Sequence, residues 1–105
     1  MFIGRVQGHI VSSAKDEQIV GHKLLMIEPL KIGYSAPGNE GTASGFEPTG
    51  RAIVALDKVG AGEGQLVLIT QGSSARMAKG CGDAPIDAVV VGIVDSAVAD
   101  GKQLA

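Results

Sequence analysis

Apolar and polar residues alternate along short segments of this chain, and the alternation predicts β-strands. In residues 2–11, Arg5, Gln7 and His9 alternate with small or apolar neighbours, which is the period of two expected of a half-buried strand. Glycines inside the same segment are typical of a sharp bend or a close backbone approach, as at the corner of a barrel. Four more apolar segments have the length of strands; they are residues 23–30, 51–57, 65–71 and 88–95.

The stretch between the second and third predicted strands, residues 31–50, is rich in glycine and contains two prolines. This composition predicts a long surface loop with room for a short hairpin. Pro29, near the end of the second strand, predicts that this strand stops there or lies at an edge. The last segment, residues 96–105, has no clear pattern, and we make no prediction for it.

One short helix is predicted after the fourth strand. Ser73 or Ser74 can act as its N-cap by accepting a hydrogen bond from a backbone N–H. Residues 75–79 include good helix formers, and Gly80 and Gly82 can end the helix.

The composition supports a small, strand-rich domain. The 105 residues include 16 glycines and only 3% aromatics, although 45% are hydrophobic, so the core must be aliphatic and the turns tight. Five strands and one short helix predict an all-β fold, a small five-stranded OB-like β-barrel. We expect the domain to span residues 1–98 and a C-terminal tail to follow at 99–105. Because so small a domain is marginally stable alone, assembly with copies of itself is favoured.

Charge and targeting signals exclude two classes of partner. The net charge is −2, so there is no basic excess to neutralise phosphates, and we expect no nucleic-acid partner. The N-terminal residues lack the pattern of a signal peptide, and no apolar run approaches the roughly 20 residues that span a bilayer, so we expect no membrane association. A single cysteine, Cys81, cannot form an internal disulfide, which predicts a cytoplasmic protein.

The glycine-rich segment 60–64 (GAGEG) superficially matches a phosphate-binding loop. The dinucleotide-binding pattern requires a third glycine where Gln65 stands, and the Lys-Ser/Thr pair of a P-loop is missing. A strand is predicted to follow the segment, so there is no helix N-terminus to receive a phosphate. A tight turn or a contact between subunits is the better interpretation.

Other motifs of enzymes and metal sites are equally incomplete. Residues 72–76 (GSSAR) approach the nucleophile elbow Gly-x-Ser-x-Gly, but Arg76 replaces the last glycine, and His9 and His22 precede the serine. These two histidines and Cys81 offer three metal ligands without paired spacing. We therefore predict a non-enzymatic protein with no catalytic residue, no cofactor and no metal.

Several segments match one family, in order, along nearly the whole chain. The most specific are residues 59–62 (VGAG, within the matching run 55–64), 72–76 (GSSAR) and 92–95 (GIVD) taken together. On these segments the chain resembles the EutN/CcmL-type vertex proteins of bacterial microcompartments. The remaining matches are Gly4-Arg5-Val6, Gly8, Lys15, residues 21–25, 67–68 and 85–88, and Val91.

The resemblance implies an OB-like barrel that assembles as a cyclic homopentamer. It also implies a place in the shell of a microcompartment, beside hexameric shell proteins, where pentamers cap the five-fold vertices. A flat hexagonal sheet cannot close without five-fold points, so the implied function is structural and involves no turnover.

A five-membered ring requires a heterologous interface, with two different patches on each subunit. Small residues favour close packing at a narrow axis, and a complementary pair of charges can flank them. The candidate interface or pore residues are Asp57, Gly60, Ala61, Gly62, Gly64, Gly72, Ser73, Ser74 and Arg76.

An OB-type module that binds a small ligand or single-stranded nucleic acid is the alternative hypothesis. Such modules stack bases on aromatic side chains in a basic groove. This chain offers Phe2, Tyr34 and Phe46 for stacking, and its net charge is negative. The composition therefore gives little support for the basic, aromatic groove that this alternative requires.

Overall fold

The computed structural model describes residues 1–11, 21–34, 43–72, 75 and 87–105. These residues contain eight β-strands, five of which lie where the sequence predicts strands. The strands are β1 (Phe2–Ile10), β2 (Leu24–Tyr34), β3 (Ala43–Pro48), β4 (Ile53–Asp57), β5 (Leu66–Gln71), β6 (Ala88–Ile93), β7 (Val98–Ala99) and β8 (Lys102–Gln103).

Five of these strands form a closed ring. The main sheet runs in the order β1-β5-β6-β4-β2, and β1 also pairs with β2, so the last strand meets the first. The pairing of β4 with β6 is parallel, whereas the other four pairings in the ring are antiparallel. The prediction of a five-stranded OB-like barrel is confirmed, and closure removes the free edges that such apolar strands would otherwise expose.

The barrel core is aliphatic, as the composition predicts. Alternate residues of each strand point inward, so β2 contributes Leu25 and Ile27 and β5 contributes Val67 and Ile69, all of them at most 2% exposed. A second, smaller cluster joins Leu56, Val89 and Ala75, with partly buried neighbours. The barrel is therefore packed by side chains and has no open lumen.

Gly4 lies where the barrel wall is tightest. A Cβ atom at this position would meet the Ile27 side chain, and it would lie 3.1 Å from both the Glu28 carbonyl oxygen and Ile69 Cδ1. Gly8 lies four residues further along β1, beside a register shift, and its nearest such contact is 4.0 Å away. Only the first of these glycines is required by packing against the core.

The prediction of a long surface loop over residues 31–50 is wrong for much of its length. β2 continues to Tyr34 and pairs with β3, so the two strands form a ribbon that extends the sheet beyond the barrel. The glycine content is accommodated because the Glu47 side chain covers Gly33. The prediction that a short hairpin could form within this stretch agrees with the antiparallel pairing of β2 and β3. Residues 35–42 lie outside the described part of the chain.

Pro29 does not end its strand, so the first of the two predicted possibilities is wrong, but one side of the strand is locally unpaired there, as the second requires. It lies where the partner of β2 changes, because pairing with β4 stops at Ile27 and pairing with β3 starts at Leu30. The missing N–H of proline therefore removes no bond from either ladder on that side. The Pro29 carbonyl oxygen accepts a hydrogen bond of 2.7 Å from Thr49 Oγ1, which fixes the base of the ribbon.

The C-terminal segment, for which we made no prediction of secondary structure, forms the small hairpin β7–β8. Its turn is Asp100-Gly101, and both residues have positive φ angles of 52° and 73°, as a two-residue hairpin turn requires. The predicted short helix lies outside the described residues except for Ala75, which is buried. Within the described residues, no helix is long and apolar enough to cross a membrane.

Candidate assembly surface

Asp57 organises the turn between β4 and β5. Its carboxylate, only 2% exposed, accepts hydrogen bonds from three successive backbone N–H groups. Val59 and Gly60 donate to Oδ1 at 3.0 and 3.1 Å, and Ala61 donates to Oδ2 at 3.1 Å. An aspartate at a strand end is expected to cap a turn in this way. The carboxylate therefore makes these hydrogen bonds within its own chain.

Lys23, the residue just before β2, completes this arrangement. Its Nζ donates to the Ala61 carbonyl oxygen at 3.1 Å and lies 3.9 Å from Asp57 Oδ2. The Ala61 side chain is fully buried and belongs to the barrel core. The turn is therefore anchored by a charged pair at its start and by an apolar side chain in its middle.

The second half of the turn is held against β1. Gly62 N–H donates to Gln65 Oε1 at 2.7 Å, and Gly64 N–H donates to the Val6 carbonyl oxygen at 2.8 Å. The Arg5 guanidinium also donates to the Gly64 carbonyl oxygen at 2.8 Å. Residues 58–65, which we call the braced loop, are thus bonded to the barrel at both ends.

The candidate interface residues fall into three groups. Asp57 and Ala61 serve the interior of the braced loop, so their side chains have almost no surface to offer a neighbour. Gly60, Gly62, Gly64 and Gly72 are exposed, and Gly60 and Gly64 adopt φ angles of 78° and 85° that favour glycine. Ser73, Ser74 and Arg76 lie outside the described residues. The interface role of the exposed glycines stays a prediction.

Sequence reasoning overlooked the residues that brace the loop. Lys23 and Arg5 are 38 and 59 residues away from the carbonyl groups to which they donate. No pattern within a short stretch of sequence predicts hydrogen bonds between residues so far apart. The one available signal was Asp57 followed by small residues, which indicates a carboxylate-capped turn.

A cavity of about 280 Å³ lies at the other end of the barrel, at the base of the ribbon. Apolar and polar side chains share its wall. The lining residues are Phe2, Pro29, Leu30, Thr49, Arg51, Ile53 and Gln71.

Two pairs of exposed apolar side chains occupy different parts of the surface. Met26 and Val54 are directly opposite each other on β2 and β4, 37% and 49% exposed, and we call them the wall patch. Ile32 and Tyr34 project from the ribbon and are 42% and 55% exposed. Adjacent exposed apolar residues mark surfaces that meet a partner more often than isolated ones do.

The described residues offer little for chemistry or for base stacking. No group of three or more His, Cys, Asp or Glu side chains among them could hold a metal ion. His9 Nδ1 lies 3.9 Å from Glu63 Oε1, and both side chains are well exposed. Phe2 lines the cavity, whereas Tyr34 and Phe46 lie on the ribbon, so the three aromatics do not form one binding groove.

Comparisons with known proteins agree over nearly the full length. The family model described as ethanolamine utilisation protein EutN/carboxysome matches residues 1–95. The bacterial microcompartment shell vertex protein EutN of Salmonella typhimurium is 40% identical over 102 residues, which cover 97% of this chain and 91% of that protein.

Solved structures give the same result. The structure of CcmL from Gloeobacter violaceus superposes with a TM-score of 0.84 at 37% identity, covering 100% of this chain and 96% of that one. The pentameric microcompartment shell protein GrpN from Rhodospirillum rubrum gives a TM-score of 0.74 at 37% identity, with 94% and 98% coverage. The closed barrel and its ribbon are thus a recurring fold.

Proposed function

Because this chain belongs to the EutN/CcmL family of microcompartment shell vertex proteins, we propose that it forms a homopentamer that caps five-fold vertices of such a shell. The observation that carries the proposal is the match to the family model over residues 1–95 of 105. The identity of 37% to a pentameric shell protein, over nearly the whole of both chains, supports the oligomeric state.

The role we propose is mechanical and takes place in the shell, within the cytoplasm. A sheet of hexagonal tiles is flat, and five-fold units introduce the curvature that closes it. The protein would supply a rigid body of fixed shape together with contact surfaces for hexameric neighbours. The packed barrel and the braced loop suit this role because contacts within the subunit hold both of them in place.

Ring formation requires two unlike patches on each subunit. A standard interface takes about 800 Å² from each partner, so two of them would cover about a quarter of the 6209 Å² of accessible surface. The wall patch and the exposed face of the ribbon are separate apolar surfaces of this kind. We assign them to opposite sides of the junction between neighbouring subunits.

The native mass tests the oligomeric state directly. We expect native mass spectrometry of the purified protein to give about 53 kDa, five times the mass of the 10.6 kDa chain. The same species should persist on dilution without any added ligand. A dominant monomer or dimer at micromolar concentration would show that the proposed function is wrong.

The wall patch is tested by Val54→Glu. The side chain is 49% exposed in the isolated chain, so the fold should tolerate a carboxylate, whereas an interface would bury that charge without a partner. We expect the concentration at which the pentamer half-dissociates to rise at least tenfold in sedimentation or native mass measurements. Val98→Glu, at a 68% exposed position on the tail hairpin, is the matched control and should leave the pentamer unchanged.

The proposed contact with hexameric neighbours has its own test. Co-expression of this protein with a hexameric shell tile should give closed particles in electron micrographs, and the tile alone should give open sheets or tubes. Identical particles with and without this protein would contradict the vertex role while leaving the pentamer intact.

A further inference from the structure

The cavity at the base of the ribbon combines an apolar floor with unused polar groups. Phe2, Leu30 and Ile53 supply the apolar part, while Arg51 and Gln71 supply polar side chains that are exposed. Among the residues that the structure describes, neither the Arg51 guanidinium nor the Gln71 side-chain amide has a hydrogen-bond or ion-pair partner. These groups are free to bind a partially polar side chain.

The cavity lies near the lower limit of size for a small-molecule site, and it can receive one aromatic side chain. Sites for small molecules usually measure roughly 300–1,000 Å³, and this cavity measures about 280 Å³. An aromatic ring with one polar atom would fill the apolar part and place that atom among the polar groups. Tyrosine has this shape, and its hydroxyl usually finds a hydrogen-bond partner when it is buried.

Tyr34 is the only tyrosine of the chain, and it stands 55% exposed on the ribbon. It cannot fill the cavity of its own subunit, because Leu30 in the cavity wall is four residues away along the same strand, a span of about 13 Å. A knob and a hole at separate places on one chain give a heterologous, head-to-tail contact. That is the type of contact from which a five-membered ring is built.

We infer that Tyr34 of each subunit inserts into the cavity between Phe2, Ile53 and Arg51 of the next subunit around the ring. The hydroxyl accepts a hydrogen bond from the Arg51 guanidinium and donates one to Gln71 Oε1. Tyrosine and arginine are also the residue types that most often dominate the binding energy of interfaces. The inference rests on the proposed pentamer and identifies the residues that hold it together.

Truncation of the knob gives the first test. We expect Tyr34→Ala to raise the half-dissociation concentration of the pentamer at least tenfold, and Arg51→Ala to raise it by a smaller factor. Val98→Ala is the control, since it removes a more exposed apolar side chain that lies on the tail hairpin. A pentameric parent protein with unchanged dissociation in Tyr34→Ala would overturn the inference and leave the proposed function standing. A monomeric parent protein would overturn both.

Disulfide cross-linking tests the direction of the contact. In a Cys81→Ala background, the double variant Tyr34→Cys, Gln71→Cys should, on mild oxidation, give a ladder from dimer to pentamer on non-reducing gels. Each single cysteine variant should remain at the mass of one chain. Dimers from Tyr34→Cys alone would indicate a contact between two ribbons and would overturn the inference, as would the absence of a ladder from a double variant that is pentameric by native mass.

Discussion

Gly4→Ala is expected to destabilise the folded subunit by about 3 kcal/mol, which is at the upper end of the cost of overpacking a core. The added methyl group would meet the Ile27 side chain, the Glu28 carbonyl oxygen and Ile69 Cδ1. Two of these contacts are with side chains fully buried in the barrel, and the third is backbone, so the wall of the barrel would have to shift. For a domain of this length, the loss corresponds to a fall of about 15 °C in Tm.

The measurement is thermal and urea unfolding at one fixed protein concentration, because assembly adds to apparent stability. Gly8→Ala is the matched control in the same strand, where the new methyl group has free space. That variant should be neutral or slightly stabilising, since it restricts the unfolded chain. Equal Tm values for the two variants would contradict the packing argument.

Asp57→Ala is expected to cost about 3 kcal/mol and to release the braced loop. The substitution removes the acceptor of three backbone N–H groups and leaves Lys23 without its counter-ion. A hydrogen bond to a charged group contributes about 1.5–3 kcal/mol, and water can replace part of the loss because Val59 and Gly60 are exposed. Hydrogen exchange should show loss of protection at the amides of Val59, Gly60 and Ala61.

Two further variants make this result specific. Asp57→Asn keeps one carbonyl oxygen as acceptor and loses the charge, so we expect about half the effect. Asp95→Ala removes an exposed acid just beyond β6 and should leave stability and exchange unchanged. If Asp57→Ala retains full amide protection in the loop, the carboxylate does not hold the turn.

The barrel strands could be predicted from sequence because their signal is local. The five predicted strand segments coincide with β1, β2, β4, β5 and β6 to within four residues at each end. Each segment indicates a strand either by alternation of apolar and polar residues or by a short apolar run bounded by turn residues, and both signals lie within the segment itself. Even the type of barrel follows once five such strands must bury their apolar faces without leaving free edges.

For the ribbon, composition alone led to a wrong prediction, and the structure shows why. Glycine and proline normally mark turns and loops, so the composition of residues 31–50 predicted a loop. In the structure, Glu47 packs over Gly33 from the paired strand, and Pro29 lies at the point where one partner strand gives way to another. Both effects are cross-strand contacts, which no single segment of sequence encodes.

The candidate surface could likewise be predicted only in part. The capping function of Asp57 follows from its position at a strand end, whereas the bonds from Lys23 and Arg5 require the closed barrel to bring distant strands together. The cavity with Arg51 and Gln71 is likewise formed by four strands, β1, β2, β4 and β5, together with the connection from β3 to β4.

The braced loop takes its shape from anchors that point into its own subunit, so its outward positions are free to vary. Gly62 and Glu63 are exposed, and a Cβ atom at Gly62 would be no closer than 3.8 Å to any neighbour. Substitutions at these two positions should therefore change the outer surface of the loop while the stability of the barrel stays the same. The outer surface of the loop can thus diverge between related proteins without any change in the contacts that hold the fold, and a designer can alter that surface while keeping the barrel.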